Sequence, residues 1–158
     1  MSYGSSLGQT GLGASVSIGS ITSGTLSSSF TLIGETDEIP DFLPEWQMTD
    51  TTNLQSSMEE KKPTILGTKD VNLTGNRTSK DAGQVIVQTA YSASPPVPYD
   101  FKIAIPKNVA DGQTVTGDIW TFSAYVKKNS FKNLKATDWV KFMIDLTIVS
   151  APIFTPGT

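Results

Sequence analysis

The chain of 158 residues is most simply one domain, and its 37% hydrophobic residues are sufficient to bury a core. It has 12 basic and 15 acidic side chains and a net charge of −3, with Arg77 its one arginine; because phosphate-binding grooves usually cluster lysine and arginine, this balance argues against tight nucleic-acid binding. It has no cysteine and no histidine, which excludes disulfides, thiolate metal sites and the commonest general base.

Residues 1–27 are dominated by glycine and serine, a composition that cannot hold a packed core by itself and predicts an extended, flexible N-terminal arm. Within it, Val16 and Ile18 alternate with small polar residues, which is enough for a short strand if a sheet edge is available. Two interpretations stay open: a flexible tail, or an arm that becomes ordered against a neighbouring subunit. The remainder, residues 28–158, is predicted to fold as one domain that begins with a strand at residues 28–34.

Residues 35–63 are predicted to form a long protruding loop. Connections of this length are uncommon in compact domains and are usually functional or disordered. Four embedded apolar side chains argue against disorder: Ile39, Phe42, Leu43 and Trp46. Further along, Leu54 and Met58 would allow a turn or two of helix. The loop is therefore a candidate contact surface. The alternative is that it folds over its own domain.

The stretch after this loop predicts a strand, a tight turn and the one convincing helix. Residues 71–74 alternate between apolar and polar side chains, and the Gly-Asn dipeptide at residues 75–76 favours a turn. Ser79 is positioned to cap a helix at about residues 79–91, with Asp81 in its first turn. Helical spacing predicts one buried apolar stripe, formed by Ala82, Val85, Ile86 and Ala90.

The last third of the chain has the clearest β-pattern. Alternating apolar residues predict three strands joined by short polar turns, hence paired antiparallel, at residues 97–105, 114–128 and 138–149. Their opposite faces are polar and carry Asp100, Lys102, Lys141 and Asp145. The fold prediction is mainly β: an antiparallel β-sandwich or barrel with one flanking α-helix, a long protruding loop and an extended N-terminal arm.

No motif for chemistry stands out. The serines have no histidine partner, no G-x-S-x-G sequence occurs, and the glycine spacing matches no nucleotide-binding loop. A carboxylate pair that converges in space, as in glycosidases, has nothing in its favour here. We therefore expect no enzymatic activity, no metal and no cofactor. Nothing approaches the roughly 20 apolar residues of a membrane span and no leader-type segment opens the sequence, so we also expect no membrane insertion.

Four short motifs follow one another over about two-thirds of the chain: TTNL at residues 51–54, VNLTGN at 71–76, DAGQ at 81–84 and TFSAYV at 121–126. Together with the strand at residues 138–149 and its Ala-Pro exit, they resemble major tail tube proteins of long-tailed bacteriophages, a family related to type VI secretion tube proteins. The long Gly/Ser arm, and Ala151 where the family usually has glycine, depart from the family pattern.

The resemblance implies a structural subunit of a virion tail, which polymerises as stacked hexameric rings into a hollow tube for DNA ejection. It implies a β-sandwich whose sheets join between subunits, assembly in the host cytoplasm, and partners among other tail proteins: the tape measure, terminator and distal tail proteins. In this family a long loop reaches the adjacent ring. Here the corresponding inter-ring contacts would come from Ile39, Phe42, Leu43, Trp46, Leu54 and Met58.

Such a conduit must let double-stranded DNA pass without sticking, and a lumen poor in arginine and acidic overall would do so because phosphate neutralisation dominates affinity. We therefore predict lumen-facing positions at Asp100, Lys102, Lys141 and Asp145; the alternative places these residues on the outer surface. Other functions also remain open: a type VI-like secretion tube protein, a tail terminator ring protein, or a monomeric β-sandwich that binds carbohydrate or peptide through Trp46, Trp120 and Tyr125.

Overall fold

A computed structural model describes residues 9, 11–25 and 27–158, and within them the chain is mainly β, with ten strands and one α-helix. The strands are β1 (Ser15–Ile21), β2 (Thr31–Leu32), β3 (Thr36–Glu38), β4 (Trp46–Asp50), β5 (Lys61–Leu66), β6 (Lys69–Asn76), β7 (Tyr99–Ala104), β8 (Ile119–Lys132), β9 (Lys141–Ile148) and β10 (Ile153–Thr155). The helix α1 spans Ala82–Tyr91, and a single 3-10 turn, Val109–Asp111, precedes β8. The predicted mainly β fold with one flanking helix is confirmed.

Eight of the described strands form one antiparallel sheet in the order β2-β1-β7-β8-β9-β6-β3, with β10 beside β8. β10 pairs with the start of β8, where Ile153 lies opposite Thr121, and β9 takes over the same edge from Ala124 onward. The predicted antiparallel pairing of the last three long strands is thus confirmed. β4 and β5 pair with each other as a separate hairpin.

The sheet curls into a half-barrel because three residues tie its two edges together. β2 lies at one edge and β3 at the other, yet only residues 33–35 separate them. Such a connection spans at most about 14 Å when fully extended. The N–H of Ile33 donates to the carbonyl of Val16 on β1, and the N–H of Asn76 on β6 donates to the carbonyl of Glu35, each at 2.9 Å. This closure segment (residues 33–35) therefore bridges strands from opposite ends of the sheet order.

The core lies between one face of the curled sheet and α1. Successive inward positions of β9 are all buried, namely Phe142, Ile144, Leu146 and Ile148, and they meet the inward residues of β1, β6, β7 and β8. Each fully buried side chain of this size stabilises the fold by about 1.5–3 kcal/mol relative to exposure. The period-two pattern read from the sequence therefore identified the core face correctly in β7, β8 and β9.

The predicted helix start was wrong, and the predicted buried stripe is right only in its second half, where Ala90 is buried and Ile86 packs against the core. Asp81, not Ser79, is the N-cap, and its side chain accepts the N–H of Gln84. The buried helix residues are Gly83, Gln84, Val87 and Ala90, whereas Ala82 is exposed and Val85 is 49% exposed. The cause is the closure segment and the end of β2: a Cβ on Gly83 would lie 2.2 Å from the carbonyl oxygen of Leu32. That backbone approach selects which side of α1 faces the sheet.

The predicted turn at residues 75–76 is also wrong, because β6 continues through both residues. Gly75 is buried, and a Cβ there would meet the carbonyl oxygen of Glu35 at 2.3 Å and the ring of Phe142 at 2.6 Å. The glycine is needed where the closure segment crosses over the strand. It does not reverse the chain direction.

Several element boundaries differ from the prediction. The strand expected at residues 28–34 is only the two-residue β2, β8 extends to Lys132 rather than ending at residue 128, and β10 follows the strand predicted to be last. No helical turn forms around residues 54–58; that stretch is the connection between β4 and β5.

Part of the predicted N-terminal arm belongs to the sheet. β1 pairs with β7 over most of its length, and its Val16 and Ile18 are core residues. The strand predicted there is confirmed, and it finds its sheet edge within its own chain. Residues 1–8, 10 and 26 of the arm lie outside the described residues, so the division of the chain at residue 27 stays a prediction.

Candidate assembly surfaces

The closure segment is held in place by the first residues of α1. Asp81 Oδ2 accepts the N–H of Gly34 at 3.0 Å and that of Gln84 at 3.1 Å. The buried Gln84 side chain donates to the carbonyls of Gly34 and Asn76 and accepts the N–H of Thr78. A buried amide with all these partners costs little to desolvate and joins three segments. In the DAGQ sequence, Asp81 thus caps the helix, Gly83 allows the close approach of the end of β2, and Gln84 links the closure segment to β6.

Most of the predicted loop 35–63 belongs to a protruding hairpin. All five residues of β4 are exposed, as are the first five of the six in β5. An isolated two-stranded hairpin is marginally stable at best in water. This hairpin nevertheless presents large apolar side chains, namely Trp46, Met48 and Ile65, with Trp46 59% exposed. No surface within the described residues covers them.

The predicted inter-ring residues fall into two groups. Phe42 packs edge-on against Trp120, with ring centroids 5.7 Å apart, and stacks on Phe122 at 6.1 Å, while Ile39 also lies against the core. The exposed group comprises Leu43, Trp46, Leu54 and Met58. The loop therefore folds over its own domain as far as Phe42 and protrudes from Trp46 onward, and whether the protruding part is a contact surface stays a prediction.

The face of the sheet opposite the core carries charges that pair across strands. Lys141 Nζ donates to Asp37 Oδ2 at 2.7 Å, and Lys127 Nζ lies 3.4 Å from Asp70 Oδ2. The hydrogen bonds from Lys141 and Thr74 hold the pKa of Asp37 below its ordinary value. We call this surface, formed by the outward residues of β6, β8 and β9, the polar face.

The four predicted lumen residues occupy different environments. Lys141 and Asp145 lie on the polar face, where Asp145 accepts a hydrogen bond from Asn72. Lys102 is half-buried, with Nζ 5.1 Å from the centroid of the Phe30 ring. Asp100 is 1% exposed and does not face solvent. Which of these positions line a channel stays a prediction.

Asp100 is covered by the connection between β1 and β2. Thr22 Oγ1 donates to Oδ1 at 2.8 Å, Ser27 donates to Oδ2 from both its N–H and its hydroxyl, and Ser123 Oγ donates to Oδ1 at 3.3 Å. Burial by itself raises the pKa of Asp100, but these hydrogen bonds favour the charged form and bring the pKa below its ordinary value. An ionised carboxylate therefore holds the covering loop on the sheet.

One group of exposed apolar residues was not identified from the sequence. It lies at the end where β8 joins β9 and comprises Phe131, Leu134, Trp139 and Val140, with Trp139 84% exposed. Arg77 stacks on Phe131, its Cζ 4.9 Å from the ring centroid. The available signal was a tryptophan and a leucine in an otherwise polar connection.

The aromatic residues considered for a monomeric binding site do not converge on one surface. Trp120 packs between Phe42 and Phe154, the latter at 5.1 Å between centroids. Tyr125 pairs with Thr147 on the polar face, and Trp46 is on the hairpin. In the described part of the chain there is no group of three or more His, Cys, Asp or Glu side chains able to hold a metal ion. Nor does any helix described there have the length and apolarity to cross a bilayer.

Solved structures with this fold come from contractile injection systems, a gene transfer agent and the SPP1 tail tube. The chain superposes on a protein of an extracellular contractile injection system, the PVC sheath-tube complex in its extended state, with a TM-score of 0.64 and 13% identity over 90% of this chain and 88% of that one. The match to the tail of an empty gene transfer agent particle has a TM-score of 0.66 and 15% identity, over 94% of this chain and 99% of that one. The match to the SPP1 tail tube has a TM-score of 0.61 and 14% identity, over 92% of this chain and 77% of that one.

No protein-family model matches the sequence, and a search of curated proteins found no match. The fold resemblance predicted from the four motifs is confirmed by the structural neighbours: the chain has the fold of tail tube proteins.

Proposed function

We propose that this protein is the structural subunit of a virion tail tube, in which hexameric rings of the chain stack around an aqueous channel that conducts double-stranded DNA during ejection. The observation that carries the proposal is the tube fold, which spans at least 90% of the chain in each of three tube or tail assemblies. The protruding hairpin supports it, because its large apolar side chains are exposed among the described residues and assembly would bury them.

The edges of the sheet support ring formation. β3 pairs with only Gly75 and Thr74 of β6, so residues 69–73 have no strand on their outer side in the described chain. At the other edge, β2 pairs with only Ser17 and Ile18 of β1. Exposed edges invite pairing with another chain, and repeated head-to-tail pairing closes into a ring when the rotation fits. Strands of neighbouring subunits would then continue the sheet around the channel.

In the proposed tube the polar face lines the channel, with Lys102, Lys141 and Asp145 near the passing DNA. Asp37 and Asp70 pair with two of the lysines of this face, which limits the positive charge available to grip phosphates. The exposed loop residues Leu43, Trp46, Leu54 and Met58 make contacts between rings. The tape measure, terminator and distal tail proteins are the other partners, with assembly in the host cytoplasm and a final location in the virion tail.

Light scattering and negative-stain imaging of the purified protein test the proposal. Hollow tubes with a ring repeat are the expected result, and their formation should depend on protein concentration. Isolated rings that never stack would favour a terminator-type protein instead. A monodisperse monomer at high concentration would contradict the proposal.

A further inference from the structure

Asp100 is a buried carboxylate that no cation neutralises within the described part of the chain. It is 1% exposed, and none of the ion pairs found there includes it. The groups that donate hydrogen bonds to it are uncharged: the N–H of Ser27 and the hydroxyls of Thr22, Ser27 and Ser123. Buried charges in proteins are usually paired with an opposite charge. The negative charge of Asp100 is therefore stabilised by hydrogen bonds but not cancelled.

A cavity of about 240 Å³ lies beside this carboxylate. It is lined by the β1–β2 connection, by residues of β7 and β8, and by the segment that leads from β9 into β10. Among the described residues of the lining, Asp100 is the only charged one, and six others carry hydroxyl groups: Thr22, Ser23, Thr25, Thr121, Ser123 and Ser150. The cavity is therefore rich in hydroxyl groups and has one fixed negative charge.

Thr121 gives the cavity a hydrogen-bonding group without a partner. The residue is only 9% exposed, yet its hydroxyl makes no hydrogen bond to any described residue. Buried polar groups in native structures are nearly always hydrogen-bonded, so an exception calls for an explanation. Because Thr121 lines the cavity, its oxygen is available to a molecule bound there.

The hydroxyls next to Asp100 can serve a ligand only as acceptors. Thr22 and Ser123 donate their hydroxyl hydrogens to Oδ1 of Asp100, so their remaining lone pairs can accept hydrogen bonds. A ligand that fits must therefore bring donors and a positive charge. A primary ammonium group brings three N–H donors and one compact positive charge. A divalent metal ion is disfavoured, because the described lining offers it a single carboxylate.

We propose that this cavity binds a primary ammonium group, supplied by a small alkylamine or by a lysine side chain of another molecule. Asp100 provides the counter-charge, and the hydroxyls of Thr22, Thr121 and Ser123 accept the N–H hydrogen bonds. The bound group would contact both the β1–β2 connection and β8, and so hold that connection on the sheet. The site does not depend on the proposed tube, because one chain supplies all of its residues.

Thermal unfolding measures this binding, because a ligand that binds only the folded chain raises the midpoint once its concentration exceeds the dissociation constant. Methylammonium is the probe and should raise the midpoint. Tetramethylammonium at the same ionic strength has the same charge but no N–H donor, so it should bind at least about tenfold more weakly. Equal effects of the two ions, or no effect of methylammonium, would overturn the proposal.

Thr121→Val is the decisive variant, because it removes one acceptor, keeps the shape of the side chain and leaves the hydrogen bonds of Asp100 in place. It should weaken methylammonium binding about tenfold. Thr137→Val, at an exposed position outside the cavity, is the matched control and should bind like the unaltered chain. Unchanged binding by Thr121→Val would overturn the site.

Asp100→Asn removes the counter-charge and should abolish binding. Because this variant is also less stable, its midpoint with methylammonium is compared with its own midpoint without the amine. A rise equal to that of the unaltered chain would contradict the role given to the carboxylate.

Lysine amide with an acetylated α-amino group distinguishes the two sources of the ammonium group. Binding as tight as that of methylammonium would show that the cavity takes a lysine side chain, and binding of methylammonium alone would show that it takes small amines. Either result supports the ammonium site. Tube formation is scored separately by negative-stain imaging, so tubes without amine binding would overturn this inference alone. Amine binding by a chain that never assembles would contradict the proposed function alone.

Discussion

Asp81 and Gly34 are joined by a 3.0 Å hydrogen bond between Oδ2 and the backbone N–H, and the same oxygen caps α1 through Gln84. One carboxylate thus serves the helix and the closure segment together. Since Gly34 lies between the strands at the two edges of the sheet, this bond fixes how far the half-barrel curls.

Asp81→Ala is expected to lower the free energy of unfolding by about 2–3 kcal/mol, since it removes a helix cap and leaves the Gly34 N–H without its partner. Asp81→Asn keeps a side-chain oxygen at the cap and should cost less. Urea unfolding measures both, with Asp111→Ala at an exposed position as the control. A loss below about 0.5 kcal/mol for Asp81→Ala would show that the bond does not matter.

Gly83→Ala should destabilise the protein by about 1–3 kcal/mol, because the added methyl would lie 2.2 Å from the carbonyl oxygen of Leu32. In an open helix position the same change is stabilising by about 1 kcal/mol. The sign of the change in urea midpoint is therefore decisive. A more stable Gly83→Ala protein would mean that α1 does not sit against the end of β2 as described.

Phe42→Ala and Trp46→Ala should separate the two parts of the predicted loop. Phe42 packs on Trp120 and Phe122, so its truncation should cost about 2–4 kcal/mol of unfolding free energy. Trp46 is exposed, so its truncation should leave stability within about 0.5 kcal/mol and reduce assembly instead. Thermal unfolding together with sedimentation measures both effects. Equal losses of unfolding free energy for the two variants would contradict the division of the loop into a packed part and a protruding part.

Stability should fall in acid because of Asp100. Its pKa in the folded protein lies below the ordinary value of about 3.9. A depressed carboxyl pKa stabilises the fold above the unfolded value, and that contribution is lost as the pH falls through the folded value. Unfolding free energies measured from pH 7 down to pH 2 should therefore decline below about pH 4.

Asp100→Asn isolates this contribution. The variant should be less stable at pH 7, because the amide cannot accept all the hydrogen bonds from Thr22, Ser27 and Ser123, and it should lose less stability on acidification. Asp138→Asn, at an exposed position, should keep the steeper acid dependence. An unchanged slope for Asp100→Asn would assign the acid sensitivity to other carboxylates.

Local periodicity was enough to predict β7, β8 and β9, because an inward face repeats every second residue whatever the strand pairs with. It failed where distant segments meet. Gly75 resembled a turn residue because the sequence around it does not show the real reason for a glycine. That reason is the carbonyl of Glu35, far away in sequence, which leaves no room for a side chain there. Asp100 resembled a solvent-facing strand residue because nothing in its strand shows that Thr22 and Ser27 cover it.

The candidate surfaces show the same limit. Trp46, Leu54 and Met58 were identified because they interrupt a long non-periodic stretch, and they are exposed. Trp139 adjoins the strongest strand pattern in the chain and looked like an extension of it. Only the turn geometry between β8 and β9 reveals that it faces outward.

Electron cryomicroscopy of the concentrated, purified protein tests the central claim most directly. We predict hollow tubes of six-fold rings, with β6, β8 and β9 turning Lys141 and Asp145 toward the channel and the hairpin of each copy against the next ring. Single compact particles at every concentration, or tubes whose channel is lined by α1, would contradict the account.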